Sequence, residues 1–438
     1  MNLGFIGLGN MGGAIAARLV QAQQTLSVMD IRTDATREFA DAGARVCATP
    51  AEVARCSDLV FTCLPGPEEM RAVALGNQGI LEGVRAGTIC VDLTTNSPDL
   101  VREVARCFDL LGTAFLDAPV SGGPMGARAG TLAVYVGGNQ STLERCRSIL
   151  EVFGKGAIQH CGPLGSGNVV KLCNNLLNNV LKCLLPEVFA LGVKAGMTAR
   201  ALFEALASGP ADSMMLRLAA RGYLESRTTG SFPGVAVKDV GLALDLAHHW
   251  GVHAPIGTAV LDRLRVSMDG GYGIDLWRLV EHEGNVTLQF SPSGDSSDRG
   301  ATFPGSEIVR LCTNLVSATM RTANPEAFAI GIRGGIDQRV LYDGIRGGTG
   351  YSAVLETQFR PLLEARTCGR EPIQTPPLAV VVGGLKRTRE IATVLGLAVP
   401  ITDAVLARIG TISEAGQGIE PFLQVEMESG VRFGFPRI

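Results

Sequence analysis

The run Gly7-Leu8-Gly9-Asn10-Met11-Gly12 limits the possible folds of this 438-residue chain more than any other feature. It spells G-x-G-x-x-G, follows the apolar segment Leu3–Gly7 and opens an alanine-rich helical stretch. In that setting Gly7 permits a tight turn, Gly9 lets the backbone approach a pyrophosphate, and Gly12 allows close helix–strand packing. The helix N-terminus, from Asn10 and Met11 onward, then offers unpaired N–H groups to anionic phosphates. Asp30 lies 18 residues past Gly12, at the end of the next strand. A carboxylate there accepts a hydrogen bond from the adenosine ribose and repels a 2′-phosphate. NAD is therefore the expected cofactor, although Arg32 and Arg37 nearby leave NADP open.

The segments Leu3–Gly7, Leu26–Met29, Leu59–Cys63, Thr88–Asp92 and Leu132–Val136 read as strands. Met11–Ala22, Thr33–Ala42 and Asp99–Leu111 read as helices. This alternation predicts a parallel sheet covered by helices, a Rossmann-type α/β domain over residues 1–163. Long helices follow over 164–283, and the polar, turn-rich stretch 284–300 reads as a linker. Residues 301–438 then repeat what preceded the linker. Val169–Leu176 matches Ile308–Leu315 at an offset of 139, and Pro186–Phe189 matches Pro325–Phe328 in the same register. Gly251–Ile256 matches Gly396–Ile401 at an offset of 145. Two registers separated by a small insertion favour a duplicated all-α domain.

Composition narrows the function classes. With 39 basic against 42 acidic residues the net charge is −3, which argues against a nucleic-acid or anionic-membrane partner. A hydrophobic fraction of 46% excludes a disordered chain. Eleven cysteines without a Cys-x-x-Cys pair suggest free thiols rather than a disulfide framework. No uncharged run has the length of a membrane span and the N-terminus reads directly into a strand, so a cytoplasmic protein is expected.

One helical segment carries a polar face. Among Val169, Val170, Leu172, Leu176, Leu177, Val180 and Leu181, the residues Lys171, Asn174, Asn175 and Asn178 recur at i, i+3, i+4 and i+7. A lysine and three amides facing a core need polar partners, and in a chain with a dinucleotide fingerprint a substrate is the natural one. His248, His249 and His253 form a loose cluster, but Gly251 interrupts the helix between them and no further ligand completes a metal set. No metal is expected.

The fingerprint, Asp92-Leu-Thr-Thr95-Asn-Ser-Pro98, Asp117-Ala-Pro-Val-Ser121-Gly122-Gly123, Gly165–Asn175 and Lys238-Asp239 occur in this order. Together they resemble the β-hydroxyacid dehydrogenases, the group of 3-hydroxyisobutyrate dehydrogenase, tartronate semialdehyde reductase and 6-phosphogluconate dehydrogenase. The resemblance covers residues 1–283, and the stretch beyond 300 lies outside the common pattern. It implies that Lys171 is the catalytic lysine, with Asn175 as its companion and Asn174 beside it. Ser121, Gly122 and Gly123 would hold a substrate carboxylate, and Phe232 would wall the pocket. Thr95 and Lys238 would contact the nicotinamide side of the cofactor, and Leu64 and Pro65 would lie under the adenosine ribose.

The implied reaction moves a hydride between NAD and a small β-hydroxy acid or its semialdehyde, with Lys171 moving the proton. Burial and a nearby cationic nicotinamide should lower the lysine pKa enough for it to act as a base. An imine or enamine reductase on the same scaffold is the alternative enzyme, and a non-catalytic dinucleotide-binding sensor the alternative outside enzymes. In the repeat, Arg310 replaces Lys171 and cannot serve as a base, and Gly383-Gly384 replace Lys238-Asp239. The second helical copy is therefore expected to be degenerate. It would pack on the first as an intrachain pseudo-dimer, in a chain that could also form a homo-oligomer.

Overall fold

The apolar runs become the centre of a nine-stranded sheet. In the computed structural model, which describes residues 1–227, 234–273, 275–290, 303–361, 364 and 378–414, the first strands are β1 (Leu3–Ile6), β2 (Leu26–Met29), β3 (Arg45–Val46), β4 (Leu59–Thr62) and β5 (Ile89–Asp92). They are followed by β6 (Ala114–Asp117), β7 (Val120–Ser121), β8 (Ala133–Gly137) and β9 (Ile158–Gly162). The strand order is β3-β2-β1-β4-β5-β6-β8-β7, with β9 paired to β8. From β3 to β6 every pairing is parallel, whereas β8 runs antiparallel to β6 and β7. Every residue of β1, β4 and β5 is buried, as expected for parallel strands covered on both faces. The chain reverses direction across the sheet between β1 and β4, which opens the crevice where doubly wound folds bind their ligands.

The helices used below are α1 (Asn10–Gln21), α2 (Ser166–Lys194), α3 (Val235–His249), α4 (Pro255–Asp269), α5 (Gly305–Arg333), α6 (Gln338–Gly347), α7 (Leu378–Val394) and α8 (Pro400–Glu414). The expected helix Thr33–Ala42 is divided into a 3₁₀ turn, Thr33–Thr36, and a short helix, Arg37–Asp41. Among the described residues beyond 163 the named elements are all helices, apart from one isolated bridge. The long, apolar α2 has the length and hydropathy of a membrane span, yet 89% of its most apolar window is buried within the protein.

The chain divides into two compact units. One holds Met1–Leu172 with Gly335–Gly348, and the other holds Cys173–Gly334 with Thr349 onward. In the first, α6 packs on the sheet: Tyr135 Oη donates to Gly344 O at 2.9 Å and Gln159 Nε2 donates to Val340 O at 2.7 Å. In the second, α5 lies against α7 and α8, and α4 against α3 and α8. The start of the stretch read as a linker is packed, with Leu288 and Phe290 buried and Phe290 N donating to Leu224 O at 2.9 Å.

Two sets of hydrogen bonds in the helical unit come in pairs. Glu187 on α2 accepts from Ile401 N at 3.0 Å and from Thr402 N at 3.3 Å. Glu326 on α5 accepts from Ile256 N at 2.9 Å and Gly257 N at 3.0 Å. The two glutamates are 139 residues apart and their donors 145 apart, the two offsets of the sequence repeat. Each carboxylate thus satisfies orphan N–H groups at the start of a helix, α8 or α4, where the helix dipole favours negative charge. A second pair lies at an antiparallel bridge between Ser213 and Ser352, themselves 139 apart. There Met214 N donates to Tyr351 O at 3.1 Å and Ala353 N donates to Asp212 O at 2.8 Å.

Burial pushes Glu187 up to about 7, although backbone N–H groups and Arg263 favour its charged form. A carboxyl whose pKa is higher folded than unfolded contributes stability that is complete below the unfolded value, 4.5, and is lost as pH rises through about 7. Glu187→Gln should therefore flatten the pH dependence of the melting temperature between pH 4.5 and 7. An unchanged slope would show that another group sets it.

Candidate active site

In the first unit the glycine run forms the expected turn. A Cβ on Gly12 would sit 1.9 Å from Gly7 O, so only glycine lets α1 start this close to β1. A Cβ on Gly9 would meet nothing within 4 Å. Helix α1 begins with no side-chain cap and no acidic residue in its first turn. Open space above Gly9 and an uncapped helix start fit a dinucleotide pyrophosphate. Asp30 is brought to the same turn: its Oδ2 accepts from Leu8 N at 2.6 Å and its Oδ1 from Arg32 N at 2.8 Å. The carboxylate thus holds the glycine turn itself.

Next to this turn, Leu64 N donates to Thr94 Oγ1 at 3.0 Å, which ties the Leu64-Pro65 segment to the loop carrying Thr95. Ser121 ends β7 and is buried. Its hydroxyl bonds Tyr135, whose own proton goes to Gly344 O. Gly122 follows at φ 131°, a conformation that favours glycine.

Two carboxylates on adjacent strands organise these loops. Asp92 at the end of β5 accepts from Thr62 Oγ1 at 2.8 Å, Thr94 N at 3.0 Å and Asn96 Nδ2 at 2.6 Å. Asp117 at the end of β6 accepts from Gly165 N at 2.8 Å, Asn168 N at 2.9 Å and Asn168 Nδ2 at 3.2 Å. Asn96 N donates to Asn168 Oδ1 at 2.7 Å and joins the two sets. Burial raises the pKa of both acids, Asp117 to about 6, against hydrogen bonds that favour the carboxylate. The network fixes the start of α2, and Lys171, 8% exposed, follows Asn168 by three residues on that helix.

The helical unit holds the rest of the polar face. Asn174, Asn175 and Asn178 are all buried. Asn174 Nδ2 donates to Asn175 Oδ1 at 3.1 Å, and Asn175 Nδ2 donates to Asp239 Oδ2 at 2.6 Å. Lys238 Nζ lies 3.0 Å from Asp239 Oδ1. The Lys238-Asp239 pair and the amides, far apart in sequence, thus belong to one chain of hydrogen bonds. Phe232 lies outside the described residues. Among those described, no group of three or more His, Cys, Asp or Glu side chains is placed to hold a metal.

The sequence motifs contained Asp92 and Asp117 without disclosing what they do. Asn96, Asn168 and Thr349, whose hydroxyl reaches the amides, were not singled out. A run of buried strand ending in Asp is a usable signal for the first two, because an acid ending a buried strand needs local donors.

Residues 2–163 match the family model described as the NAD binding domain of 6-phosphogluconate dehydrogenase. Residues 165–280 match that of the NAD-binding region of NADP-dependent 3-hydroxyisobutyrate dehydrogenase. A probable mitochondrial 3-hydroxyisobutyrate dehydrogenase of Dictyostelium discoideum is 37% identical over 270 residues, 59% of this chain and 82% of that protein. The structure of Mycobacterium tuberculosis 3-hydroxyisobutyrate dehydrogenase with L-serine superposes with a TM-score of 0.56 at 32% identity, covering 64% of this chain and 98% of that one. Plasmodium falciparum 6-phosphogluconate dehydrogenase shares the fold over 94% of this chain and 92% of its own, with a TM-score of 0.67 at 16% identity. The chain belongs to the β-hydroxyacid dehydrogenase family.

Asp117→Ala would strand three buried donors and should lower unfolding free energy by at least about 3 kcal/mol. Urea denaturation checks this, and a loss below about 1 kcal/mol would mean that the network does not brace the start of α2.

Proposed function

We propose that the protein is an NAD-dependent dehydrogenase that oxidises the CH–OH group of a small β-hydroxy carboxylic acid, with Lys171 as the proton carrier. The observation that carries this reading is the buried polar face on the apolar α2: Lys171 one turn from Asn175, whose amide is held by Asp239. The relatives' names supply the substrate class, since 3-hydroxyisobutyrate and L-serine are both short acids with a hydroxyl on the β-carbon. An imine reductase is the less supported reading.

Asn10, Met11 and Gly12 would receive the pyrophosphate on backbone N–H groups above Gly9, and Asp30 would accept from the adenosine ribose. Leu64 and Pro65 would line the ribose side, and Thr95 and Lys238 the nicotinamide side. Backbone N–H groups of Gly122 and Gly123, with Ser121, would hold the substrate carboxylate. When bound, the nicotinamide supplies the acceptor for the hydride leaving the alcohol carbon. Lys171 Nζ takes the hydroxyl proton as the carbonyl forms and returns it in the reverse reaction. Asn175 and Asn174, locked by neighbouring side chains, keep the hydroxyl aligned with that nitrogen. A carboxylate at residue 30 favours NAD over NADP.

We also read the helical region as a duplicated domain, residues 164–283 and 301–438, joined by the 284–300 segment and paired within one chain as a pseudo-dimer. The reciprocal carboxylate caps and the mirrored bridge at Ser213 and Ser352 support this reading. The second copy, with Arg310 for Lys171 and Gly383-Gly384 for Lys238-Asp239, is not a second active site. The ten described cysteines are all free, which suits a reducing compartment such as the cytoplasm.

A panel of β-hydroxy acids assayed with NAD at 340 nm tests the activity, and no turnover with any member would overturn it. Lys171→Ala should lower kcat by about 10²–10⁴-fold with NAD affinity nearly unchanged. Asp30→Ala should raise the NADP/NAD ratio of kcat/KM by about tenfold or more; an unmoved ratio removes Asp30 from cofactor selection.

A further inference from the structure

The contact of Thr349 with α2 is not mirrored in the helical unit. Thr349 Oγ1 accepts from Asn178 Nδ2 at 2.6 Å and from Asn174 Nδ2 at 3.3 Å. The next residue, Gly350, donates its N–H to Asn174 Oδ1 at 2.8 Å. At the 139 offset the counterpart of Thr349 is Pro210, which has no hydroxyl, and the counterparts of Asn174 and Asn178 are Thr313 and Ser317, which have no carboxamide. The glutamate caps and the serine bridge run both ways, but this contact runs one way only, toward the helix that carries Lys171.

We infer that Thr349 is a positioning residue for the dehydrogenase site: its hydroxyl orients the carboxamides of Asn174 and Asn178 so that Asn175 stands correctly beside Lys171. The inference rests on the proposed function and extends it to the C-terminal third of the chain. The connection runs through named atoms. Thr349 holds the amide group of Asn174, Asn174 Nδ2 also donates to Asn175 Oδ1, and Asn175 Nδ2 donates to Asp239 Oδ2. Asn174 and Asn175 thereby have their N and O ends specified, because a donor and an acceptor direction of each is already assigned to a neighbour. With Gly350 N taking Asn174 Oδ1, that side chain cannot flip without losing a buried hydrogen bond.

The close approach is built into the backbone. A Cβ on Gly350 would fall 2.8 Å from Asn174 O and 3.1 Å from Asn174 Oδ1, so a side chain there would push the loop away from α2. Asn178 Oδ1 is buried and has no hydrogen-bond partner among the described residues. With its amino group committed to Thr349, the oxygen is the end that remains to accept from a ligand donor.

The test uses the full-length enzyme and the pair Thr349→Val, which keeps the shape and removes the hydroxyl, and Thr349→Ser, which keeps the hydroxyl. Thr349→Val should lower kcat/KM for the best β-hydroxy acid about tenfold or more, mainly through kcat, while the NAD dissociation constant stays within about twofold. Thr349→Ser should restore kcat/KM to within about threefold of the wild type. Wild-type turnover in Thr349→Val would overturn the inference, as would equal losses in the two variants, which would point to packing. If the wild type oxidises no β-hydroxy acid, the proposed function fails. The orientation of the amides is then still read by thermal unfolding of Thr349→Val, Asn178→Ala and the double variant. Additive shifts in melting temperature would overturn the coupling, and non-additive shifts would support it.

Discussion

The buried hydrogen-bond network from Thr62 to Gly165 is the constraint on which the N-terminal unit depends. Asp92 and Asp117 end neighbouring parallel strands and would be costly to bury without donors. Their donors come from the end of β4, the loop after β5 and the residues that open α2, so satisfying Asp117 also decides where that helix begins. Asn96 and Asn168 close the set by bonding each other's segment. Lys171 follows within one turn. A side chain on a long helix is only as well placed as the helix start, and here three bonds to Asp117 and one from Asn96 fix that start to the sheet.

Much of this was legible in the sequence, for local reasons. Leu26–Met29 was read with the same limits that the structure gives it, and four other strands lay within about a residue of theirs, because fully buried strands leave unbroken apolar runs. β3 and β7, two residues each, carry too little pattern to be seen, and β6 lies hard against the loop that follows it. The polar face of α2 was legible because helical spacing alone places Lys171, Asn174, Asn175 and Asn178 together. Thr349 was not, since no local signal marks a residue whose partner stands 171 or 175 positions away. The bond from Leu8 N to Asp30 was not legible, since it depends on the turn, which only the folded backbone displays.

On the reading of the helical region as a duplication, the repeat is kept at the carboxylate caps and diverges along the polar face. Glu187 and Glu326 remain the same residue because both must satisfy helix N–H groups in a buried place. On that reading Lys171 and Arg310, and Asp239 and Gly384, have parted. On that reading the polar cluster around Asn174 draws on both copies, through Thr349 and Gly350, while Lys171 belongs to the first alone.

That difference has a genetic side. Two identical subunits are read from one gene, so a threonine at the position of Thr349 would place a threonine at the position of Pro210 as well. On the duplication reading, a single chain removes this coupling: mutations at 210 and 349 arise and are selected separately. One half can then specialise as a brace without altering the half that it braces, an option closed to a symmetric pair.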